Sequence, residues 1–226
     1  MVRDPIRRTS MRRQALLAAL TVSLLATNAP AQTIPSTTVP SNIPAPVPTG
    51  APERIRGTII TLDGATLTVR NRDNRIVQVI LAEPITVAAV IPASLADAKP
   101  GAYIGAAATG PRDQLRALEV LIFPEAARGS NEGHYPWDLQ PESTMTNATV
   151  QSEVSSTDGR TLTVTTKGET LKITVPPNAP IVTFEPGTPA MLVPGAHVFI
   201  GATRGPDGTL RAARANVGKD GLIPPM

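Results

Sequence analysis

Asp63-Gly64-Ala65-Thr66-Leu67-Thr68-Val69 occurs twice in this chain, returning as Asp158-Gly159-Arg160-Thr161-Leu162-Thr163-Val164. Asp-Gly supplies a tight bend, and Thr-Leu-Thr-Val alternates polar and apolar residues with the period of a half-buried strand. Other pieces return in the same order. Pro100-Gly101-Ala102 is matched by Pro194-Gly195-Ala196. Gly110-Pro111 with Leu115-Arg116-Ala117 is matched by Gly205-Pro206 with Leu210-Arg211-Ala212. One β-rich unit used twice restricts the fold far more than composition does, and sets copies at residues 54–123 and 148–218.

Each copy reads as short strands between turns. In the first, Ile55 to Ile60 gives one strand and Leu67 with Val69 the next. Asp73-Asn74 then turns the chain into Val77, Val79 and Leu81. Pro84 is expected to interrupt the chain before a short strand at Ile85 to Ala89. Ser94 is placed to cap one helical turn that ends at Pro100-Gly101. Strands from Ala102 and over Gln114 to Phe123 complete the copy. In the second copy, Leu171 to Val175, Ile181 to Phe184, Ala196 to Thr203 and Thr209 to Val217 repeat the scheme, with Pro206-Asp207-Gly208 as a turn. The expected class is all-β: two tandem small β-barrels of OB-like or Greek-key type, joined by an irregular linker. Strand pattern alone does not separate a barrel from a sandwich. Units of this size are near the lower limit for independent stability, so the copies are expected to pack on each other and the chain to be monomeric.

The first 31 residues read as a secretory signal. Arg3, Arg7, Arg8, Arg12 and Arg13 precede an uncharged run from Ala15 to Ala26, and Ala29-Pro30-Ala31 offers a cleavage site after Ala31. The run is too short to span a bilayer comfortably, so no transmembrane span is expected after cleavage. Arg12-Arg13 leaves the twin-arginine and general routes both open. Residues 32–53 hold six prolines among Thr, Ser and Ala and read as a mobile, extended linker. These features place the protein in the periplasm.

Removing the leader changes the charge argument. The whole chain carries a net +3, and the leader alone carries five Arg and one Asp, which leaves the rest at about −1. A nucleic-acid partner is therefore not expected, because phosphate binding needs an excess of basic groups. Arg70, Arg72 and Arg75 are interrupted by Asp73 and read as a solvated hairpin edge. Cysteine is absent, which removes disulfides, thiol catalysis and thiolate metal sites.

Between the copies, residues 124–147 hold Gly133-His134-Tyr135-Pro136-Trp137-Asp138. This segment carries the single Trp of a chain with 3% aromatic residues. His134, Tyr135, Trp137 and Asp138 have two readings: a plug in the groove between the barrels, or a site for a ligand or partner. Glu132, His134 and Asp138 are the residues that could gather around a metal, although Pro136 forbids a regular helix between the last two. His197 stands two residues after Pro194-Gly195, as Tyr103 does after Pro100-Gly101, and reads as a half-exposed strand residue. No phosphate loop, nucleophile elbow or acid–base carboxylate pair is present. No cofactor is expected, and the chain reads as a non-enzymatic binding or scaffold module of unknown ligand. The residues 219–226 read as a tail.

Gly57-Thr58 through Val69, Leu95 through Gly101 and Leu115 through Val120 resemble the bacterial periplasmic domains of unknown function grouped as DUF5666-like. Gly133 through Leu139, Ser143 through Asn147 and Val217 through Met226 are similar to segments of exported proteobacterial proteins. The resemblance spans residues 54–226 and carries no catalytic residues with it. Similar proteins sometimes bear a metal-transporter permease label, which implies, at most, a soluble accessory role in metal or solute handling as the alternative function. An enzyme using the 132–138 loop is the remaining one.

Overall fold

Alternating sequence becomes alternating burial wherever the repeat motif occurs. The computed structural model describes residues 50, 52–156 and 159–226; the leader, most of the proline-rich stretch and Asp158 of the second turn lie outside the described residues. In the strand Thr66–Asn71, Leu67 and Val69 are fully buried while Thr66 and Thr68 are half-exposed. In the strand Gly159–Thr166, Leu162 and Val164 are fully buried in the same way. Each such Leu or Val contributes about 1.5–3 kcal/mol relative to leaving it in water.

Among the described residues the chain forms twelve strands. The first three make a meander: β1 (Pro52–Asp63), β2 (Thr66–Asn71) and β3 (Ile76–Pro92). A hairpin of β4 (Tyr103–Thr109) and β5 (Leu115–Ile122) follows. The short β6 (Gly133–Pro136) precedes a second meander of β7 (Thr144–Ser156), β8 (Gly159–Thr166) and β9 (Glu169–Val175). Then come β10 (Ile181–Pro186) and a second hairpin, β11 (His197–Arg204) with β12 (Leu210–Gly218). Ser94 caps the short 3-10 turn Leu95–Asp97, its hydroxyl accepting from the Ala96 N–H while Asp97 accepts from the Ser94 N–H. Pro84 does not interrupt its strand as expected: β3 runs unbroken through a cis Glu83–Pro84 bond. The linker is also shorter than expected, because β1 begins at Pro52 and pairs with β11 from that residue on.

The protein is all-β and closes into a β-barrel, and the closure does not follow the sequence copies. β1, β2 and β3 are completed by β11 and β12. Ile55 faces Ile200 across an antiparallel ladder, and Leu210 lies beside Val79 in a parallel one. This makes one ring of five strands, β1-β2-β3-β12-β11. A second ring, β7-β8-β9-β5-β4, is completed by the parallel pair Leu115–Ile173 and the antiparallel pair Ile104–Ala148. Each ring thus takes its meander from one copy and its hairpin from the other. The boundaries 54–123 and 148–218 mark sequence copies and not rings. The second ring is contiguous, running from Tyr103 to Val175, and is nested between β3 and β11 of the first. β10 joins them, antiparallel to β3 (Phe184 beside Val90) and parallel to β5 (Ile181 beside Val120).

Three apolar cores result. The first ring encloses Ile59, Leu67, Val79, Ile200 and their neighbours. The second encloses Ile104, Leu115, Leu162, Ile173 and theirs. A third lies where the outer faces of the rings meet, around Val90, Leu121, Val182 and Met226, with Phe123, Phe184, Phe199 and Leu222 against them. The expected tail is therefore anchored: Met226 is 3% exposed. Close approach of strands sets one glycine. A Cβ on Gly57 would stand 2.0 Å from the Arg70 carbonyl oxygen, inside any tolerable contact.

Candidate binding cleft

The strands that close a ring point alternate side chains inward and outward. In the first ring Ile55, Val198, Ile200, Ala215 and Val217 go in. Their neighbours Arg54, Arg56, Phe199, Gly201, Arg214 and Asn216 therefore stand on the outer face. In the second ring Val120 and Ile122 go in, so that Glu119, Leu121 and Phe123 face out. The two outer faces meet, and between them lies a cleft of about 720 Å³. Phe123, Tyr135, Trp137, Phe184 and Phe199 line it. Tyr103, the sixth and last aromatic residue of the chain, packs against Phe123 with ring centroids 5.3 Å apart. Neither ring interior contains an aromatic side chain; every one belongs to the junction.

The 133–138 segment reaches across this junction. β6 pairs with β7 of the second ring, His134 opposite Thr146 and Tyr135 opposite Met145. Ser143 holds the following turn, its hydroxyl within hydrogen-bonding distance of the Trp137 and Gln140 carbonyls. The chain then delivers Trp137 to the first ring. The Arg54 guanidinium lies over its indole at 3.9 Å from the centroid, and Phe199 stands 6.4 Å away. Tyr135 meets the same indole edge-on at 6.1 Å. Trp137 is half-buried, and its indole N–H is shut from water without an acceptor.

Asp138 anchors the crossing. Its carboxylate accepts from the buried Arg56 at 2.7 Å and lies 3.6 Å from Arg54. Burial alone would raise this carboxyl, but the Arg56 hydrogen bond and the two positive charges outweigh it and hold it below the ordinary range. Arg56 also donates through Nε to the Met226 main-chain oxygen at 2.7 Å, which ties the end of the chain to β1. Tyr135 accepts from the Asn147 amide at 3.0 Å, and the same amide donates to the Ser130 and Asn131 carbonyls.

The three residues considered for a metal go to separate partners. Glu132 accepts from the Lys167 main-chain N–H at 3.0 Å. His134 Nδ1 is 2.8 Å from the Thr146 hydroxyl, and burial with the nearby Arg112 holds its pKa below the usual value, against the opposing Glu169. Asp138 is held by the arginines. Among the described residues, no group of three His, Cys, Asp or Glu side chains is gathered for a metal. His197 takes a structural partner, the Thr58 hydroxyl at 3.1 Å. Tyr103, its counterpart, donates to the Ser130 carbonyl at 3.1 Å, and burial pushes its hydroxyl up to about 12. Among the described residues no helix is long and apolar enough to cross a membrane.

One residue of the junction was not expected from the sequence. Glu119 is wholly buried, with neither carboxyl oxygen in a hydrogen bond. Burial pushes its pKa to about 8. The main chain of Ala107, its ladder partner, and the charge of Arg56 soften that shift without supplying a hydrogen bond of good geometry. The signal for it was a single acid inside the apolar run Ala117-Leu118-Glu119-Val120-Leu121-Ile122-Phe123. Its counterpart in the second copy is Arg214, since both stand four residues after the Leu of the shared Leu-Arg-Ala run. Compared with known proteins, the chain matches no family model, no curated protein and no solved structure.

Proposed function

We propose that the protein is an exported, non-catalytic binding module whose small-molecule ligand occupies the cleft between the two rings. The observation that carries this reading is the placement of every aromatic side chain at that one junction, around a cleft within the usual size of small-molecule sites. Aromatic residues confined to packing would be expected to share the ring interiors, whose buried residues are all Val, Ile, Leu and Ala. Each ring, a three-stranded meander closed by a hairpin, reads as a small OB-like barrel. The matching motifs favour membership of the exported DUF5666-like group. The scattered partners of Glu132, His134 and Asp138 give the metal-handling alternative and a 132–138 catalytic loop no support.

Gly201 allows a direct test. It lines the cleft, and a Cβ added there meets nothing within 4 Å, so Gly201→Leu fills the cleft without disturbing the strand. Native mass spectrometry after incubation with periplasmic extract should find a small molecule retained by the protein and lost from Gly201→Leu. Equal retention by both, or none by either, would overturn the reading. Export has its own check: intact mass of the protein from the periplasm should start at Gln32.

A further inference from the structure

The charges around the cleft are not balanced, and their placement describes a ligand. Five charged residues line it: Glu53, Arg54, Glu132, Lys167 and Arg214. Glu53 is taken by Arg204, at 2.6 Å. Glu132 accepts from the Lys167 main-chain N–H at 3.0 Å, and both residues stand on the second-ring side of the cleft. On the first-ring side the two arginines remain. Arg54 shares the single carboxylate of Asp138 with Arg56, and holds it only at 3.6 Å, beyond a good hydrogen bond. The Arg214 side chain has no hydrogen bond or ion pair among the described residues.

Both arginines belong to the first ring, on β1 and β12, and Gly201 beside Arg54 leaves open space on the strand between them. Across the cleft, Leu121, Phe123 and Met145 of the second ring and Phe184 of β10 present apolar surface. One wall therefore offers cationic fork-like donors that suit a carboxylate or phosphate oxygen pair. The opposite wall offers an apolar and aromatic strip, bordered by the polar Ser130, Asn131, Glu132, Asn147 and Lys167.

Resting on the cleft reading above, we infer that the ligand is an amphipathic anion: an apolar chain or ring seated against Phe123, Phe184 and Met145, with a single acidic headgroup held by Arg54 and Arg214. A cationic amphiphile of the same length meets two arginines, and a neutral one leaves them without a new partner.

The test compares three probes with one tail, each below its micelle concentration: dodecanoate, dodecyltrimethylammonium and dodecyl maltoside. Binding is read by calorimetry and by the emission of Trp137, the only indole. Dodecanoate should bind saturably and shift that emission, at least about tenfold tighter than either other probe, as loss of a charge-assisted hydrogen bond implies. Arg214→Gln should weaken dodecanoate by a similar factor, and should leave the denaturation midpoint unchanged because Arg214 is exposed and supports nothing. Arg54→Gln should do so as well, with the calorimetric readout freed from its stacking on Trp137. Gly201→Leu should abolish binding. Equal binding of all three probes, or an unchanged affinity in Arg214→Gln, would overturn the anionic headgroup while the cleft stands. Failure of dodecanoate to bind at all would overturn the amphipathic class, with the cleft still judged by retention from extract. Dodecanoate binding undiminished by Gly201→Leu would place the ligand elsewhere and overturn both.

Discussion

Glu119 makes the stability of this protein depend on pH in an unusual direction. A carboxyl whose folded pKa lies above its unfolded one keeps a proton in the native state that the unfolded chain has already released. With an ordinary value of 4.5 and a folded value of about 8, that holds across the whole interval between them. Stability is therefore fully present below the lower value, declines as pH rises, and levels off above the upper one. Each pKa unit corresponds to about 1.36 kcal/mol, so the span sets an upper bound of about 5 kcal/mol. Water reaching the junction as the carboxylate forms reduces this to roughly 2–4 kcal/mol, a large fraction of the stability of a typical domain. Asp138 and His134, both held below their ordinary values, act oppositely, and their contributions are lost as pH falls. Glu119→Gln keeps the shape and removes the proton equilibrium. Urea unfolding of both proteins at pH 4, 6.5, 8 and 9 should give the smallest difference at pH 4, a widening one up to pH 8 and little further change at pH 9, the Gln variant being the more stable at high pH. Parallel pH profiles would show that Glu119 is not buried without a partner, and would refute the reasoning.

Three other outcomes follow from the same geometry. Trp137→Ala should cost about 2 kcal/mol, near half the value for a fully buried Trp, and the native emission should be blue of the solvent maximum; a red maximum with an unchanged midpoint would show that the indole packs on nothing. A fragment of residues 98–179 contains a complete ring and should give a cooperative thermal transition by circular dichroism, whereas 54–123, which holds parts of two rings, should not; the reverse result would contradict the strand pairing. Gly57→Val must push β1 from β2 at Arg70, so it should lower stability by about 1–3 kcal/mol, while Gly201→Leu changes the midpoint little; equal effects would contradict the close approach at Gly57.

Much of this protein is determined within a few residues of each position. The Thr-Leu-Thr-Val periods, the Asp-Gly and Pro-Asp-Gly turns and the Ser94 cap act over distances the chain bridges locally, so the strands and their inward faces are legible in the sequence alone. The 133–138 segment also stands out in the sequence, because an exposed Trp is costly in a chain with so little aromatic surface. Closure was not legible. Leu210 and Leu115 open the same Leu-Arg-Ala run, and either hairpin offers the same local edge to either meander. Only the tertiary structure decides that Leu210 lies beside Val79 and Leu115 beside Ile173. The same choice turns the outer faces of the rings toward each other, which buries Glu119, leaves its counterpart Arg214 at the cleft, and collects six aromatic residues from across the sequence into one junction. Repetition fixes what the strands are; it cannot fix their partners, because the motifs the copies share carry no information that distinguishes one partner from the other.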